Sequence, residues 1–203
     1  MEANTDPRLT KRRGAIVAAA RELFVERGFE KTSLADVVAL AGGSLATLYK
    51  LFGNKAGLLT AVVLERAQSG EAMISEIGSE DLTPREALKK LGERLRAKFI
   101  DPEGVAISRI VIAYSLQDPD FASRFHRKTM VRSQEALARL FTKWEEQGHT
   151  LSASPEALSS IFLGMFIHEL HSDAISQGTL SPLEFRDLDA KIDFFCRGAG
   201  IRH

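Results

Sequence analysis

The chain has 203 residues, 44% apolar and 27% charged, a balance that suits one or two packed domains and excludes a disordered chain. Lys plus Arg and Asp plus Glu both total 27, so the net charge is zero and only its distribution bears on partners. A single Cys196 excludes an intrachain disulfide. The polar opening Met1–Thr10 does not read as a leader, and the longest apolar run, Ile161–Ile167, falls far short of the roughly 20 residues that span a bilayer. No membrane partner is expected.

Taken in chain order, the spacing predicts about nine helices and no sheet, an all-α fold: 9–28, 34–41, 45–52, 55–77, 84–99, 104–117, 119–147, 155–176 and 182–198. Six prolines do much of the parsing. Four follow a good N-cap residue, at Thr83-Pro84, Asp118-Pro119, Ser154-Pro155 and Ser181-Pro182. Proline at the first helical position gives up only an amide that is unpaired anyway. Thr83 with Glu86 and Ser181 with Glu184 add capping boxes. The β-branched run Ile107–Leu116 keeps helical spacing through Ile107, Ile110, Val111 and Tyr114.

Residues 1–9 are expected to form a flexible, basic-leaning arm, 10–54 a small head of short helices and 55–203 a larger body. Residues 1–66 carry ten Lys/Arg against seven Asp/Glu, and 67–203 carry 17 against 20. A basic head on an acidic body has the sign expected where the head meets phosphate.

Between Thr32 and Lys55 lies TSLADVVALAGGSLATLYKLFGNK. Ser33 reads as an N-cap with Asp36 closing a capping box, and Leu34, Val37, Val38 and Ala41 as the inner stripe of a two-turn helix. Gly42-Gly43 stops that helix, since glycine enters left-handed conformations without cost. Ser44 then caps a second helix with the inner stripe Leu45, Leu48 and Phe52. Helix, glycine turn and helix make a helix-turn-helix, whose second helix enters the major groove.

These residues resemble the tetracycline-repressor (TetR) family of bacterial transcription regulators. The likeness rests on Phe24-x-x-x-Gly28-Phe29, Thr32, Ala41-Gly42 and Ser44-x-x-Thr47-Leu48-Tyr49-x-x-Phe52-x-Asn54-Lys55-x-x-Leu58. A second segment, Arg109–Ala113 with Pro119-Asp120-Phe121, is similar to the carboxy-terminal domain of some members. The resemblance implies a cytoplasmic, homodimeric DNA-binding regulator, usually a repressor, with no cofactor and with an operator of double-stranded DNA as partner.

Thr32, Ser44, Thr47, Tyr49, Lys50, Lys55, Arg12 and Arg13 are the candidate DNA-binding residues. Tyr49 suits a sugar–phosphate or thymine-methyl contact, or else caps the small core. Lys50 is the only charge from Ser44 through Phe52 and is the candidate for a guanine edge. Lys55 opposes the dipole of the helix it starts, so a phosphate partner is expected to account for it. Ser44 and Thr47 read equally as phosphate contacts or as ordinary caps. The stretch Arg8, Lys11, Arg12, Arg13 is either a source of phosphate contacts or a solvated tail.

The sequence departs from the family's pattern at Val38, at Gly43 where valine is usual, at Leu51 and at Ala56. Val38 is expected to fill the space that the missing side chain at Gly43 leaves, the alternative being a loosened turn. The departures keep open a second reading, a helical small-molecule-binding protein with weakened DNA binding.

In the body, Leu158, Ile161, Phe162, Met165 and Phe166 wrap beyond one stripe, which points to a helix buried on two sides. The resemblance implies that the last two helices of two chains form a four-helix bundle, with these five at the seam. That places two reading helices about 34–36 Å apart on a near-palindromic operator. It also implies a pocket for a small apolar or aromatic effector, with Tyr114, Phe121, Phe125, Met130, Trp144 and His168 as candidate linings. His168 and His171 lack the spacing of a zinc protease, no Cys/His cluster completes a metal site, and no phosphate loop or nucleophile elbow occurs, so neither a metal nor an enzyme is expected.

Overall fold

The structure, a computed structural model, describes residues 7–99, 101–176 and 187–201. Among the described residues all regular structure is helical: α1 (Pro7–Arg27), α2 (Leu34–Ala41), α3 (Leu45–Phe52), α4 (Lys55–Gly78), α5 (Pro84–Phe99), α6 (Pro102–Ser115), α7 (Pro119–His126), α8 (Arg132–Glu146), α9 (Pro155–Ser176) and α10 (Leu188–Ala199). A π turn, Arg127–Val131, joins α7 to α8. The expected Ser181–Glu184 box and the residues before Pro7 lie outside the described residues.

Every described proline is the first residue of a helix: Pro7, Pro84, Pro102, Pro119 and Pro155. Before the last four, the preceding residue does the capping. Thr83 Oγ1 accepts from Glu86 N at 3.4 Å while Glu86 Oε2 accepts from Thr83 N at 2.9 Å, closing the expected box. Asp118 Oδ1 accepts from Phe121 N at 2.8 Å, and Ser154 Oγ from Ala157 N at 3.2 Å. The same logic moves α6 two residues earlier than expected, because Asp101 Oδ2 accepts from Gly104 N at 3.1 Å ahead of Pro102. Asp187, capping Ala190 N at 2.9 Å, starts α10.

The expected helix over 119–147 is interrupted by the π turn, and the apolar pattern accounts for it. At 100° per residue, the stripe Phe121, Phe125 and the stripe Leu137, Leu140, Phe141, Trp144 are out of phase by about 130°. The extra residue in a π turn shifts the phase by about 100°, which removes most of the mismatch.

The chain divides into two compact units: Met1–Arg66 with Ile110–Phe125, and Ala67–Arg109 with His126–His203. The first therefore takes in the start of α4 and a segment from the middle of the chain, not residues 10–54 alone. Its core is made by Ile16, Val17, Leu23 and Phe24 of α1, Val37, Leu48, and Leu58 and Leu59 of α4, all buried. A file of rings explains the added segment. Phe24–Phe29, Phe29–Tyr114 and Tyr114–Phe121 meet edge to face at 5.2, 5.0 and 4.9 Å between centroids, and Phe125 stacks on Phe121 at 6.2 Å.

The second unit has its own core, in which Leu88, Leu91, Leu137, Phe141, Phe162 and Ile192 are fully buried. Salt bridges rim it: Arg85 with Asp193, Lys89 with Asp189 and Arg94 with Glu76. Among the described residues no single helix is long and apolar enough to cross a membrane.

Candidate nucleic-acid interface

Helices α2 and α3 meet at 109°, inside the range of about 90–120° of a helix-turn-helix. The local sequence builds both ends of each helix. Ser33 Oγ accepts from Asp36 N at 3.1 Å and Asp36 Oδ2 accepts from Ser33 N at 2.9 Å, the expected capping box. These bonds hold the Asp36 carboxyl below its ordinary value of 3.8. Gly42 and Gly43 turn the chain at φ 73° and 97°, a region that side-chain-bearing residues avoid. Ser44 Oγ then accepts from Thr47 N at 3.2 Å to start α3.

α3 is anchored by Leu48, which is completely buried, with Phe52 half-buried at its end. The opposite face is open: Leu45 and Tyr49 are 41% and 52% exposed, and Ala46 and Lys50 are exposed beside them. Leu45 was expected on the inner stripe and stands on the outer one. The helix is only two turns long and has room for one buried anchor per turn, which Leu48 and Phe52 supply.

The next helix is pressed close behind. Asn54 Oδ1 accepts from Gly57 N at 2.8 Å, and a Cβ on Gly57 would lie 2.0 Å from the Phe52 carbonyl oxygen. Only glycine permits that approach. Lys55 Nζ donates to the Glu30 carbonyl at 3.2 Å and lies 4.4 Å from the Phe29 ring centroid. The fold thus gives Lys55 a place of its own through a cation–π contact and a hydrogen bond.

Two basic residues of α1 reach the same motif. Arg12 Nη1 donates to the Ala41 carbonyl at 3.1 Å, and the guanidinium of Arg13 lies 5.6 Å from the Phe52 ring centroid. The Arg12 guanidinium, not Val38, occupies the space beside Gly43: a Cβ there would stand 3.4 Å from Arg12 Nη1. Thr32 is 1% exposed and its hydroxyl lies 3.1 Å from the Leu23 carbonyl and 2.9 Å from that of Gly28, so its side chain closes the end of α1 and does not reach the surface.

Of the eight candidates, Ser44, Tyr49 and Lys50 lie exposed on or beside α3, with Thr47 partly covered next to them. Arg12 and Arg13 touch the motif through their own packing, and Lys55 packs on Phe29 and Glu30. Sequence reasoning did not find Arg12 and Gly57 as parts of its architecture. The signal for the first was the glycine pair, which leaves a space that some long side chain must cover.

The candidate effector linings are divided between the two units. Tyr114, Phe121 and Phe125 belong to the ring file of the first unit. Met130 is half-buried in the π turn, Trp144 is buried against Phe141, and His168 is exposed on α9. Trp144 also lines a cleft of about 330 Å³ with Ile77, Leu82, Leu140 and Lys143.

The five candidate seam residues separate by helical phase. Leu158, Phe162 and Phe166 are at most 3% exposed and face the core of their own unit, and Met165 is half-buried. Ile161 is 57% exposed. Residues four apart share the buried stripe, whereas Ile161 stands with His168 and Ile175, seven apart, on the opposite side. Phe194 of α10, which sequence reasoning passed over, is 73% exposed. Among the described residues, no three His, Cys, Asp or Glu side chains gather as a metal site.

Comparison with known proteins agrees with this architecture. Residues 16–62 match the description "Bacterial regulatory proteins, tetR family", and residues 86–197 match "AefR-like transcriptional repressor, C-terminal domain". The chain is 25% identical over 126 residues to the HTH-type transcriptional repressor BdcR of Escherichia coli (strain K12), covering 61% of this chain and 64% of that one. It is 47% identical over 51 residues to the repressor ComR of the same organism, 25% of this chain and 24% of that one. The matches thus span less than two thirds of the length of these curated relatives. A solved tetR-family transcriptional regulator from Mesorhizobium loti superposes with a TM-score of 0.82 at 26% identity, over 95% of this chain and 98% of that one. Both halves of the chain match this one group of transcription regulators, which are not enzymes, and the chain belongs to the tetR family of bacterial regulatory proteins.

Proposed function

We propose that the chain is a sequence-specific DNA-binding repressor that acts as a homodimer on a near-palindromic operator and is released by a small apolar or aromatic effector. The observation that carries this reading is the outer face of α3. Leu45, Ala46, Tyr49 and Lys50 are exposed on a helix anchored from behind by Leu48, with apolar groups suited to thymine methyls and one cation suited to a guanine edge. α3 itself carries no acidic residue.

Support for the homodimer comes from the outer side of α9. Past Glu156 in its first turn, the described exposed positions of α9 are Ala157, Ser160, Ile161, Gly164, His168, His171 and Ile175, none of them Lys, Arg, Asp or Glu. A solvated helix face carries charge, so an uncharged one fits a partner. Phe194 adds an exposed ring on α10, and open space beside Gly164 and Gly198 suits close approach of a second copy. The effector is read as a ligand of the second unit, which has its own core and carries the match to a repressor carboxy-terminal domain.

The rival reading, a small-molecule binder with weakened DNA binding, drew on Gly43 as a loosened turn. With Arg12 packed on that turn, Gly43 no longer favours it. The test is substitution of Lys50 by Ala and Tyr49 by Ala, followed by measurement of the bound DNA sequence. The proposal expects relaxed preference at one or two base pairs in each half-site, with a cost of about 1–3 kcal/mol at each. Unchanged preference would reject α3 as the reader.

A further inference from the structure

Arg12 and Arg13 stand next to each other on α1, and their side chains go to opposite ends of α3. Arg12 bonds the Ala41 carbonyl and covers the Gly42-Gly43 turn just before the helix. Arg13 lies over Phe52, the last residue of that helix, at 5.6 Å. Neighbouring residues on a helix diverge by about 100°, and α3 with its cap spans only about 12 Å, so two long side chains from one turn of α1 can reach both ends.

We infer that this arginine pair is a positioning device for the reading helix. Arg12 sets where α3 begins and Arg13 where it ends, so together they fix its tilt on the first unit's core. α3 has little else to hold it, since it is two turns long and Leu48 is its one fully buried residue. Leu48 and the half-buried Phe52 lie on one side of the helix, which leaves it free to rock about that side. Contacts at both ends remove that freedom. The inference rests on α3 being the helix that reads DNA.

The pair therefore governs discrimination between operator and other DNA, and not the electrostatic attraction to phosphate. Lys in place of Arg keeps the charge and loses the planar group that covers the glycine turn and the Phe52 ring. Both roles would suffer in Arg→Gln, but only positioning would suffer in Arg→Lys.

The full-length wild type, Arg12→Lys, Arg13→Lys and the doubly substituted protein are compared on operator DNA obtained by selection and on a scrambled duplex, across a range of salt. The double Lys variant should lose at least about tenfold in the operator-to-scrambled ratio, with the salt slope on scrambled DNA unchanged. Full retention of the ratio by the Lys variants would overturn the inference and mark the pair as phosphate contacts. So would a Gln variant whose slope falls by about 0.9 per lost contact while its ratio holds. Hydrogen exchange without DNA supplies a second reading: α3 amides should exchange at least about tenfold faster in the Lys variants, with α8 and α9 unaffected. Unchanged exchange in α3 overturns the brace even if DNA is never bound. A wild type that selects no operator while its Lys variants loosen α3 would instead sink only the DNA-reading role.

Discussion

The guanidinium of Arg12 lies 3.4 Å from the point where a Cβ on Gly43 would stand, while its Nη1 donates to the Ala41 carbonyl two residues back. Gly43 therefore serves two needs, a φ of 97° and room for a side chain from another helix. Restoring the family's usual residue, Gly43→Val, should cost about 1–3 kcal/mol through the backbone alone, more with the displaced arginine. Thermal or denaturant unfolding measures it. Adding Arg12→Ala should recover only the steric part, so the two effects should not add. A Gly43→Val protein as stable as wild type would contradict this account of the turn.

Lys55 is expected to stabilise the first unit. Its amine sits 4.4 Å from the Phe29 ring centroid and bonds the Glu30 carbonyl, so Lys55→Ala should cost about 1 kcal/mol. Lys55→Arg should keep much of that, because a guanidinium also lies well on a ring. Denaturation midpoints of the three proteins decide it, and a stable Lys55→Ala would return the residue to a purely DNA-facing role.

Two apolar residues on one helix should behave in opposite ways. Phe162, fully buried, should cost about 3–5 kcal/mol as Phe162→Ala. Ile161, 57% exposed, should cost little in the fold as Ile161→Asp but should yield monomer, as should Phe194→Asp. Light scattering on chromatographed protein reads the mass. A dimer that survives both Asp substitutions would place the seam elsewhere.

Acid should weaken the fold through three identified carboxylates. Hydrogen bonds from Ser33 hold Asp36 below its ordinary 3.8, and those from Arg94 and Thr83 hold Glu76 and Glu86 below 4.5. A depressed folded value means that the contribution is complete above those ordinary values and is lost as pH falls through the lower folded ones. All three are solvent-exposed, so each effect is small. Melting temperature against pH between 3 and 7 should fall toward acid, and Asp36→Asn, Glu76→Gln and Glu86→Gln together should flatten the fall. Parallel curves would show that other groups carry it.

Much of the fold was readable because the decisive signals are local. Thr83-x-x-Glu86, Ser33-x-x-Asp36 and the proline after each cap act within four residues, so the starts of α2, α5, α7 and α9 follow from composition alone. The phase break between Phe125 and Leu137 was equally present in the pattern and marks the π turn. What escaped the sequence was long-range. Nothing local says that Tyr114 packs on Phe29, over 80 residues away, and carries Phe121 with it into the first unit. Nor does a stripe count tell Phe162 from Ile161, since both are apolar and only the packed neighbours decide which one meets water. Among the candidate DNA-binding residues, Tyr49 and Lys50 were legible from helical phase, whereas the buried Thr32 and the bracing Arg12 depended on contacts 4 to 29 residues apart in sequence.

Selection of bound fragments from random double-stranded DNA by the purified chain, at low and at moderate salt, tests the central claim most directly. The account predicts an inverted repeat with half-site centres about one helical turn apart, whose binding weakens steeply as salt rises. Recovery of no common sequence at low salt, or of a single unrepeated site bound by monomer, would contradict it.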